Sequence, residues 1–278
     1  SSPAFSACSS FFSKLGMMFY AGAGLSQQTW DRLQAIARKT TGRDVLLATS
    51  LGATETAPFA LACTQIQDKS GNVGVPARGL SMKLVPHGGT LELRLKGPSI
   101  TPGYYKNLEK TAEAFDEEGY YCMGDALRPA DPEDLTQGFF FDGRLAENFK
   151  LNTGTWVSVG ALRNSLVNTM QGLVRDVVIV GENRPELGAL LLLSQAGKSL
   201  GPKERDQRIT ALLSAAAQRA TGSASRVTRA TVLPQEPSFD RGEVTEKGSL
   251  NQRAIRSAHE QIIEALYRGA GEVYLAKF

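Results

Sequence analysis

An apolar run that ends in a glycine turn, followed at once by a hydroxyl and a carboxylate, constrains this chain more than any other feature. Residues 45–49 are too few for a buried helix and predict a buried strand. In the next residues, 50–55 (SLGATE), Gly52 permits a tight exit from that strand and a close backbone approach to a ligand. Thr54 can donate to an anionic oxygen, and Glu55 can bind a hard cation such as Mg²⁺. The stretch predicts a nucleotide-phosphate site, although a glycine turn with a helix-capping threonine fits it equally well.

The residues before this strand predict how it is connected. A short apolar run at residues 16–20 leads into a glycine-containing turn, and Ser26 then caps a helical pattern that continues to Lys39. Gly42 ends that pattern. Strand, turn, helix and strand in this order predict a parallel α/β unit, in which ligands bind at the carboxyl ends of the strands.

Two other nucleotide-binding signatures are incomplete. Residues 22–24 match the start of G-x-G-x-x-G, but Gln27 occupies the third glycine position and Ser50 stands where the acidic residue is expected. A dinucleotide-binding dehydrogenase is therefore a weaker hypothesis. Residues 197–199 (Gly-Lys-Ser) resemble the end of a P-loop, but Leu192 replaces its first glycine, so we expect a loop there.

The remaining pattern predicts a mixed α/β and α+β fold in two domains. Residues 1–143 divide into the α/β unit (1–70) and a small β-barrel-like subdomain (71–143), where short alternating segments are separated by Gly and Pro. There, Asp125 follows a glycine at a predicted strand end and can accept hydrogen bonds from a ribose diol, or simply cap a turn. Residues 144–278 form a new α+β series that ends in one helix over residues 251–267.

Composition excludes several classes of function. The chain has 278 residues, 42% hydrophobic and 21% charged, with a net charge of +3. This charge is too small to indicate nucleic-acid binding, and no apolar run is long enough to span a membrane. Three scattered cysteines indicate reduced thiols and a cytoplasmic protein, and only two histidines, far apart, argue against a histidine-based metal or triad site.

Several segments together resemble the adenylate-forming acyl-CoA ligase superfamily, in order and in spacing. The resemblance extends over nearly the whole chain and is nearest to feruloyl-CoA synthetase-like members, through residues 150–163 and 243–253. The segments that carry it are 21–25 (AGAGL), 50–55 (SLGATE), 89–98, 103–105 (GYY), 121–125 (YCMGD), 143–144 (GR) and Lys247.

The resemblance implies an ATP-dependent reaction in which a carboxylic acid becomes an acyl-adenylate and then a coenzyme A thioester. A mobile small domain serves the two steps in turn. By this resemblance, Thr54 contacts the α-phosphate, Glu55 binds Mg²⁺, and Lys247 lies between the acyl carboxylate and the α-phosphate. The resemblance also implies that the adenine is framed by Gly22, Ala23, Ser50 and Leu51, and that the ribose is contacted by Asp125 and Arg144. It places the CoA tunnel at Gly154, Thr155 and Trp156 and the hinge at Leu145, Ala146 and Glu147.

The sequence departs from the family pattern at particular positions. Leu51 replaces an adenine-stacking aromatic residue, Met123 a threonine, and Ala146 the Asp or Lys typical of the hinge. A phosphate loop rich in Ser, Thr and Gly does not occur in these residues. We therefore expect a carboxyl-terminal fragment that is inactive by itself, with a possible N-terminal half as its partner. Two alternatives remain open: a non-catalytic module that binds nucleotide or a partner, and one half of a split ligase.

Overall fold

The computed structural model describes residues 3–22, 24–246 and 248–277. The chain divides into two compact units, Ser1–Asp142 and Gly143–Phe278. Each unit is described by itself. The predicted domain boundary, between residues 143 and 144, lies one residue after the boundary between these units.

The first unit contains helices on an eight-stranded sheet whose order is β1-β2-β3-β4-β8-β7-β6-β5. Its helices are α1 (Pro3–Ser13), α2 (Gln27–Thr41) and α3 (Leu108–Ala114). Its strands are β1 (Met17–Tyr20), β2 (Leu46–Leu51), β3 (Leu61–Cys63), β4 (Asn72–Pro76), β5 (Ser81–His87), β6 (Thr90–Lys96), β7 (Tyr121–Pro129) and β8 (Phe139–Arg144). The strands of the predicted β-barrel-like subdomain thus continue the sheet that the α/β unit begins.

The predicted parallel α/β unit is confirmed. Strands β1 and β2 are parallel, with Tyr20 opposite Thr49. The side chain of Ser26 caps α2 by accepting from Thr29 N, and Gly42 ends the helix in the left-handed conformation at φ 74°. These caps satisfy backbone groups that a helix end otherwise leaves unpaired.

A buried glutamine fixes where β2 begins. Gln34 of α2 donates to Val45 O at 2.8 Å and accepts from Val45 N at 3.0 Å, and the glutamine side chain is buried. The two bonds join helix to strand and satisfy the backbone of the residue that precedes β2. The start of β2, and therefore the position of the turn after it, is held by this clamp.

The second unit contains a two-stranded hairpin and a four-stranded sheet of order β11-β12-β13-β14. Its strands are β9 (Phe149–Lys150), β10 (Trp156–Val157), β11 (Val174–Val180), β12 (Leu187–Leu193), β13 (Val227–Val232) and β14 (Tyr274–Leu275). Its helices are α4 (Val159–Thr169), α5 (Gln195–Ser199), α6 (Pro202–Arg219), α7 (Gln252–Ala258) and α8 (Glu260–Arg268). None of the described helices in either unit combines the length and the apolar character that a membrane crossing needs.

Two secondary-structure predictions for this unit are wrong. The Gly-Lys-Ser stretch forms α5 rather than a loop, because the side chain of Ser194 caps a helix by accepting from Gly197 N. The predicted single closing helix is two helices that meet at His259, whose backbone (φ −114°, ψ 29°) departs from helical geometry. The His259 ring is hydrogen-bonded to a carboxylate outside both helices.

An ion-pair network on β5, β6 and the turn before β7 makes a pH-dependent contribution to stability. Asp116 accepts from Lys83 at 2.8 Å and from Arg94 at 3.1 Å. These contacts hold the pKa of Asp116 far below its usual range, chiefly through the bond from Lys83. A carboxylate with a lowered pKa stabilises the fold above the unfolded-state pKa of about 4, and that contribution is lost as the pH falls below it.

Asp116→Asn is therefore expected to destabilise the chain at pH 7 and to reduce the stability lost between pH 7 and pH 3. Urea midpoints at the two pH values measure both effects. The control is Asp131→Asn, at an exposed carboxylate. A stability difference between wild type and Asp116→Asn that is equal at both pH values would contradict the assignment.

Candidate functional site

Gly52 makes the turn after β2 possible. A Cβ at this position would lie 1.9 Å from the carbonyl oxygen of Pro58. The chain then forms a single 3₁₀ turn, Thr54–Thr56, in which buried Thr56 accepts from Ala53 N at 2.9 Å. Gly52 thus permits a close approach of the chain's own backbone, and the predicted approach of a ligand stays a prediction.

This turn separates the two predicted chemical groups. Thr54 is exposed, whereas Glu55 is half-buried. The hydroxyl of Tyr104 donates to Glu55 Oε1 at 2.9 Å, and Thr101 N donates to Glu55 O at 2.8 Å. Side chain and backbone of Glu55 are therefore both held by residues almost fifty positions later, and the bond to Glu55 raises the pKa of Tyr104.

A second tyrosine, Tyr121, is hydrogen-bonded to Tyr104. Tyr121 is buried, and burial raises its pKa, as do its hydrogen bond with Tyr104 and the negative charges of Glu55 and Asp125. Both tyrosines are protonated at neutral pH, as an ordinary tyrosine is, and the raised pKa values extend that state to higher pH. The first unit thus places Glu55 against the hydroxyl of Tyr104, and the charge of Asp125 contributes to the raised pKa of the neighbouring Tyr121.

Asp125 was predicted to lie at a strand end, and this is wrong: it lies in a bulge inside β7. The pairing of β6 with β7 shifts between Glu92 and Arg94, so one residue of β6 faces residues 123–125 of β7. Gly124 allows this bulge with a φ of 74°. Bulges commonly re-aim side chains beside functional sites, and this one displaces Asp125 from the regular alternation of the strand.

The predicted adenine-binding residues lie at one edge of the sheet. Because β1 and β2 are parallel, Gly22 follows the carboxyl end of one strand while Ser50 and Leu51 form the end of the other. Leu51 is partly buried and packs against the core of the first unit. Ala23 lies outside the described residues.

The side chains at this site suit a metal ion that binds together with the phosphates of a substrate. Within the described ranges, no group of three or more His, Cys, Asp or Glu side chains could hold a metal ion. Magnesium in nucleotide sites is usually bound by one or two carboxylates together with substrate phosphates. A single oriented carboxylate, Glu55, fits that pattern.

The predicted hinge is a 3₁₀ turn, Leu145–Glu147, directly after exposed Arg144. Before it, Gly143 has a φ of 102°, and a Cβ there would lie 2.7 Å from Gly160 Cα. Burial raises the pKa of Glu147 against the opposing positive charges of Arg163, Arg144 and Arg256. The turn is therefore packed tightly on its amino-terminal side and surrounded by positive charge.

The predicted CoA-tunnel residues occupy the β9–β10 hairpin. Gly154 adopts a φ of 81°, and its N–H donates to Leu151 O at 2.9 Å. Thr155 is exposed, and Trp156 is 37% exposed, with the Lys150 ammonium 4.9 Å from its ring centroid. The hairpin thus presents an aromatic ring and a cation at the surface of the second unit.

Lys247 lies outside the described residues, but the residues on both sides of it form a hairpin. Val244 pairs with Leu250 in an antiparallel bridge. Thr245 N donates to Ser249 O at 2.8 Å, and their hydroxyls lie 2.7 Å apart. The role assigned to Lys247, and the contact of Asp125 and Arg144 with the ribose, stay predictions.

Sequence reasoning missed Tyr104, Tyr121 and Glu243 as contributors. The two tyrosines lie in the segments 103–105 and 121–125 that carry the family resemblance, and this position could have indicated that they belong to the site. Glu243 lies four residues before Lys247 and is completely buried. No spacing rule predicts its burial.

Comparison with known proteins defines the class. Residues 2–105 match the family described as AMP-binding enzyme, and residues 150–271 match the AMP-binding enzyme C-terminal domain. Both parts of the chain are therefore similar to AMP-binding enzymes, the first to the enzyme model and the second to its C-terminal domain.

Relatives in this class are acid ligases. The chain is 28% identical over 225 residues to the long-chain fatty acid–CoA ligase FadD15 of Mycobacterium tuberculosis, covering 74% of this chain and 36% of the relative. It is 22% identical over 239 residues to the long-chain fatty acid–acyl-carrier-protein ligase AEE15 of Arabidopsis thaliana, covering 80% and 33%. The chain thus spans about a third of the length of these relatives.

The fold prediction is confirmed by a solved structure. The adenylation and carrier-protein didomain of the carboxylic acid reductase from Segniliparus rugosus, determined in complex with AMP, matches with a TM-score of 0.70 at 19% identity. The match covers 96% of this chain and 38% of that one. The architecture, a large mixed sheet followed by a small carboxyl-terminal sheet, is that of adenylate-forming enzyme domains.

Proposed function

We propose that this chain belongs to an ATP-dependent carboxylate–CoA ligase, which forms an acyl-adenylate and then a thioester. The observation that carries the proposal is the Glu55 carboxylate, held by Tyr104 at 2.9 Å directly after the glycine turn of β2. The names of the relatives support the same class of reaction, with CoA in one case and an acyl carrier protein in the other.

Each residue has a specific task in this proposal. Thr54 donates to the α-phosphate of ATP, and Glu55, oriented by Tyr104, holds Mg²⁺. When bound, Mg²⁺ supplies neutralisation of the charge that builds up on the phosphates. The ribose hydroxyls are held by Asp125 and Arg144.

The adenylation step also requires a positive charge between the two anions that react. A carboxylate that attacks a phosphate meets a like charge, and Lys247 between them lowers that barrier. Attack on the α-phosphate releases pyrophosphate and leaves the acyl-adenylate. After the second unit turns about residues 145–147, CoA enters beside Gly154, Thr155 and Trp156, and its thiol loses a proton and displaces AMP from the acyl group to form the thioester.

We propose an aromatic acid related to ferulate as the substrate, on the resemblance of residues 150–163 and 243–253. A long-chain fatty acid is the competing substrate class, because the two ligases compared above carry that name. Parallel assays with ferulate and palmitate distinguish the two.

The gene product that carries this chain, at its natural length, is expected to catalyse ATP–pyrophosphate exchange that depends on the acid, and to form a thioester when CoA is added. The 278-residue chain alone is expected to form no thioester. Exchange is measured with ³²P-pyrophosphate, with the acid omitted as the control. Absence of exchange with every carboxylic acid tested would overturn the proposal.

A further inference from the structure

The most completely buried acidic side chain near Lys247 is Glu243, at 0% exposure. Arg241 donates to Glu243 Oε2 at 2.9 Å and Ser238 N donates to the same oxygen at 3.0 Å. The other oxygen, Oε1, lies 2.9 Å from His259 Nε2. Burial opposes ionisation of Glu243, but the bonds from Arg241 and Ser238 hold its pKa below the usual value. Because the carboxylate is ionised and only accepts, the Nε2 of His259 carries the proton and donates.

These contacts connect three parts of the second unit. Ser238 and Arg241 belong to the segment that enters the Lys247 hairpin, and His259 lies where α7 meets α8. The backbone of Glu243 accepts from Asn251 N at 2.8 Å, which closes the base of the hairpin. Asn251 in turn caps α7, and its side chain donates to Gly242 O at 3.2 Å.

We propose that Glu243 is a positioning residue that fixes the base of the hairpin carrying Lys247 against the α7–α8 junction. This inference rests on the proposed function, in which Lys247 must reach the acyl carboxylate and the α-phosphate together. Only three residues separate Glu243 from Lys247, so movement at the base is transmitted directly to the lysine. A displacement of about 1 Å at a reacting group can cost about 100-fold in rate.

Replacing the carboxylate by its amide weakens these contacts. All of its partners donate, and glutamine would present an amide NH₂ where one carboxylate oxygen accepts. The amide NH₂ is accommodated only if His259 changes tautomer so that its Nε2 accepts, and the bond from Arg241 loses the negative charge that strengthens it. Glu243→Gln therefore releases the base of the hairpin while it preserves side-chain volume.

The first test uses the 278-residue chain itself. Trypsin cuts after lysine, so the rate of cleavage between Lys247 and Gly248, followed by mass spectrometry under native conditions, reports how often the hairpin opens. Glu243→Gln is expected to raise this rate about tenfold. The matched control is Glu186→Gln, which removes another carboxylate bonded to an arginine, Arg229, in the same unit. An unchanged rate in Glu243→Gln, or an equal rise in both variants, would overturn the proposal.

The second test uses the natural-length gene product and separates the half-reactions. Glu243→Gln is expected to lower ATP–pyrophosphate exchange about 100-fold and to leave thioester formation from preformed acyl-adenylate within about twofold. Equal loss in both half-reactions, or in neither, would contradict a positioning role. If Glu243→Gln does not fold, Arg241→Met replaces it as the test variant, because it removes a 44% exposed partner of the carboxylate. Arg241→Met is also expected to lower ATP–pyrophosphate exchange. Absence of exchange in the wild type would overturn the proposed function, and the cleavage rates would then still decide whether Glu243 anchors the hairpin.

Discussion

Lys247→Ala is expected to lower acid-dependent ATP–pyrophosphate exchange by about 10²–10³-fold in the natural-length gene product. The reason is electrostatic. In the proposed reaction an anionic carboxylate approaches an anionic phosphate, and the ammonium group is the side-chain charge assigned to lie between them. A single preorganised positive group in such a place stabilises the transition state more than it stabilises either bound anion.

The second half-reaction provides the internal control. Thioester formation from a preformed acyl-adenylate involves no attack on phosphate, so Lys247→Ala should preserve it. Lys203→Ala, at an exposed lysine on α6 of the same unit, should change neither half-reaction. If Lys247→Ala reduced both half-reactions alike, the lysine would have a role in folding or in domain movement rather than in adenylation.

Gly52→Ala is expected to lower the free energy of unfolding of the first unit by about 3 kcal/mol. The added Cβ would lie 1.9 Å from Pro58 O and 2.4 Å from Pro58 C. Both atoms belong to backbone, which cannot turn aside as a flexible side chain can. Relief therefore requires that the turn after β2 opens, and this also displaces Glu55 from Tyr104.

Urea unfolding followed by tryptophan fluorescence measures this loss. Trp30 is 3% exposed in the core of the first unit and reports on that unit, and Trp156→Phe removes the other tryptophan signal. The matched control is Gly24→Ala, because a Cβ at Gly24 would meet nothing within 4 Å. An unfolding midpoint for Gly52→Ala equal to that of Gly24→Ala would show that the turn does not need glycine.

Local patterns were predicted well where one residue decides the local conformation. Ser26 and Gly42 mark the ends of α2 because a capping hydroxyl and a left-handed glycine act within one turn of helix. The break at His259 was missed for the opposite reason. It coincides with a bond to Glu243, sixteen positions away, and that contact leaves no periodic signal.

The candidate site shows the same division. Residues 45–55 predicted a strand and a tight turn, and the structure has both, but the turn leaves Thr54 exposed while Glu55 is half-buried. The sequence did not predict that position 52 must be glycine because the Pro58 backbone lies against it, or that Asp125 would lie in a bulge. Both depend on which strands become neighbours.

The sequence by itself thus determined most of the elements, the class of fold and the residues that resemble an adenylate-forming site, because these follow from local conformational preference and ordered motifs. Only the tertiary structure decided that Tyr104 orients Glu55 and that His259 joins Glu243 beneath the lysine hairpin. A hydrogen bond between distant residues depends on the path of the whole chain and on the burial of both partners, and neither property is encoded in a local stretch.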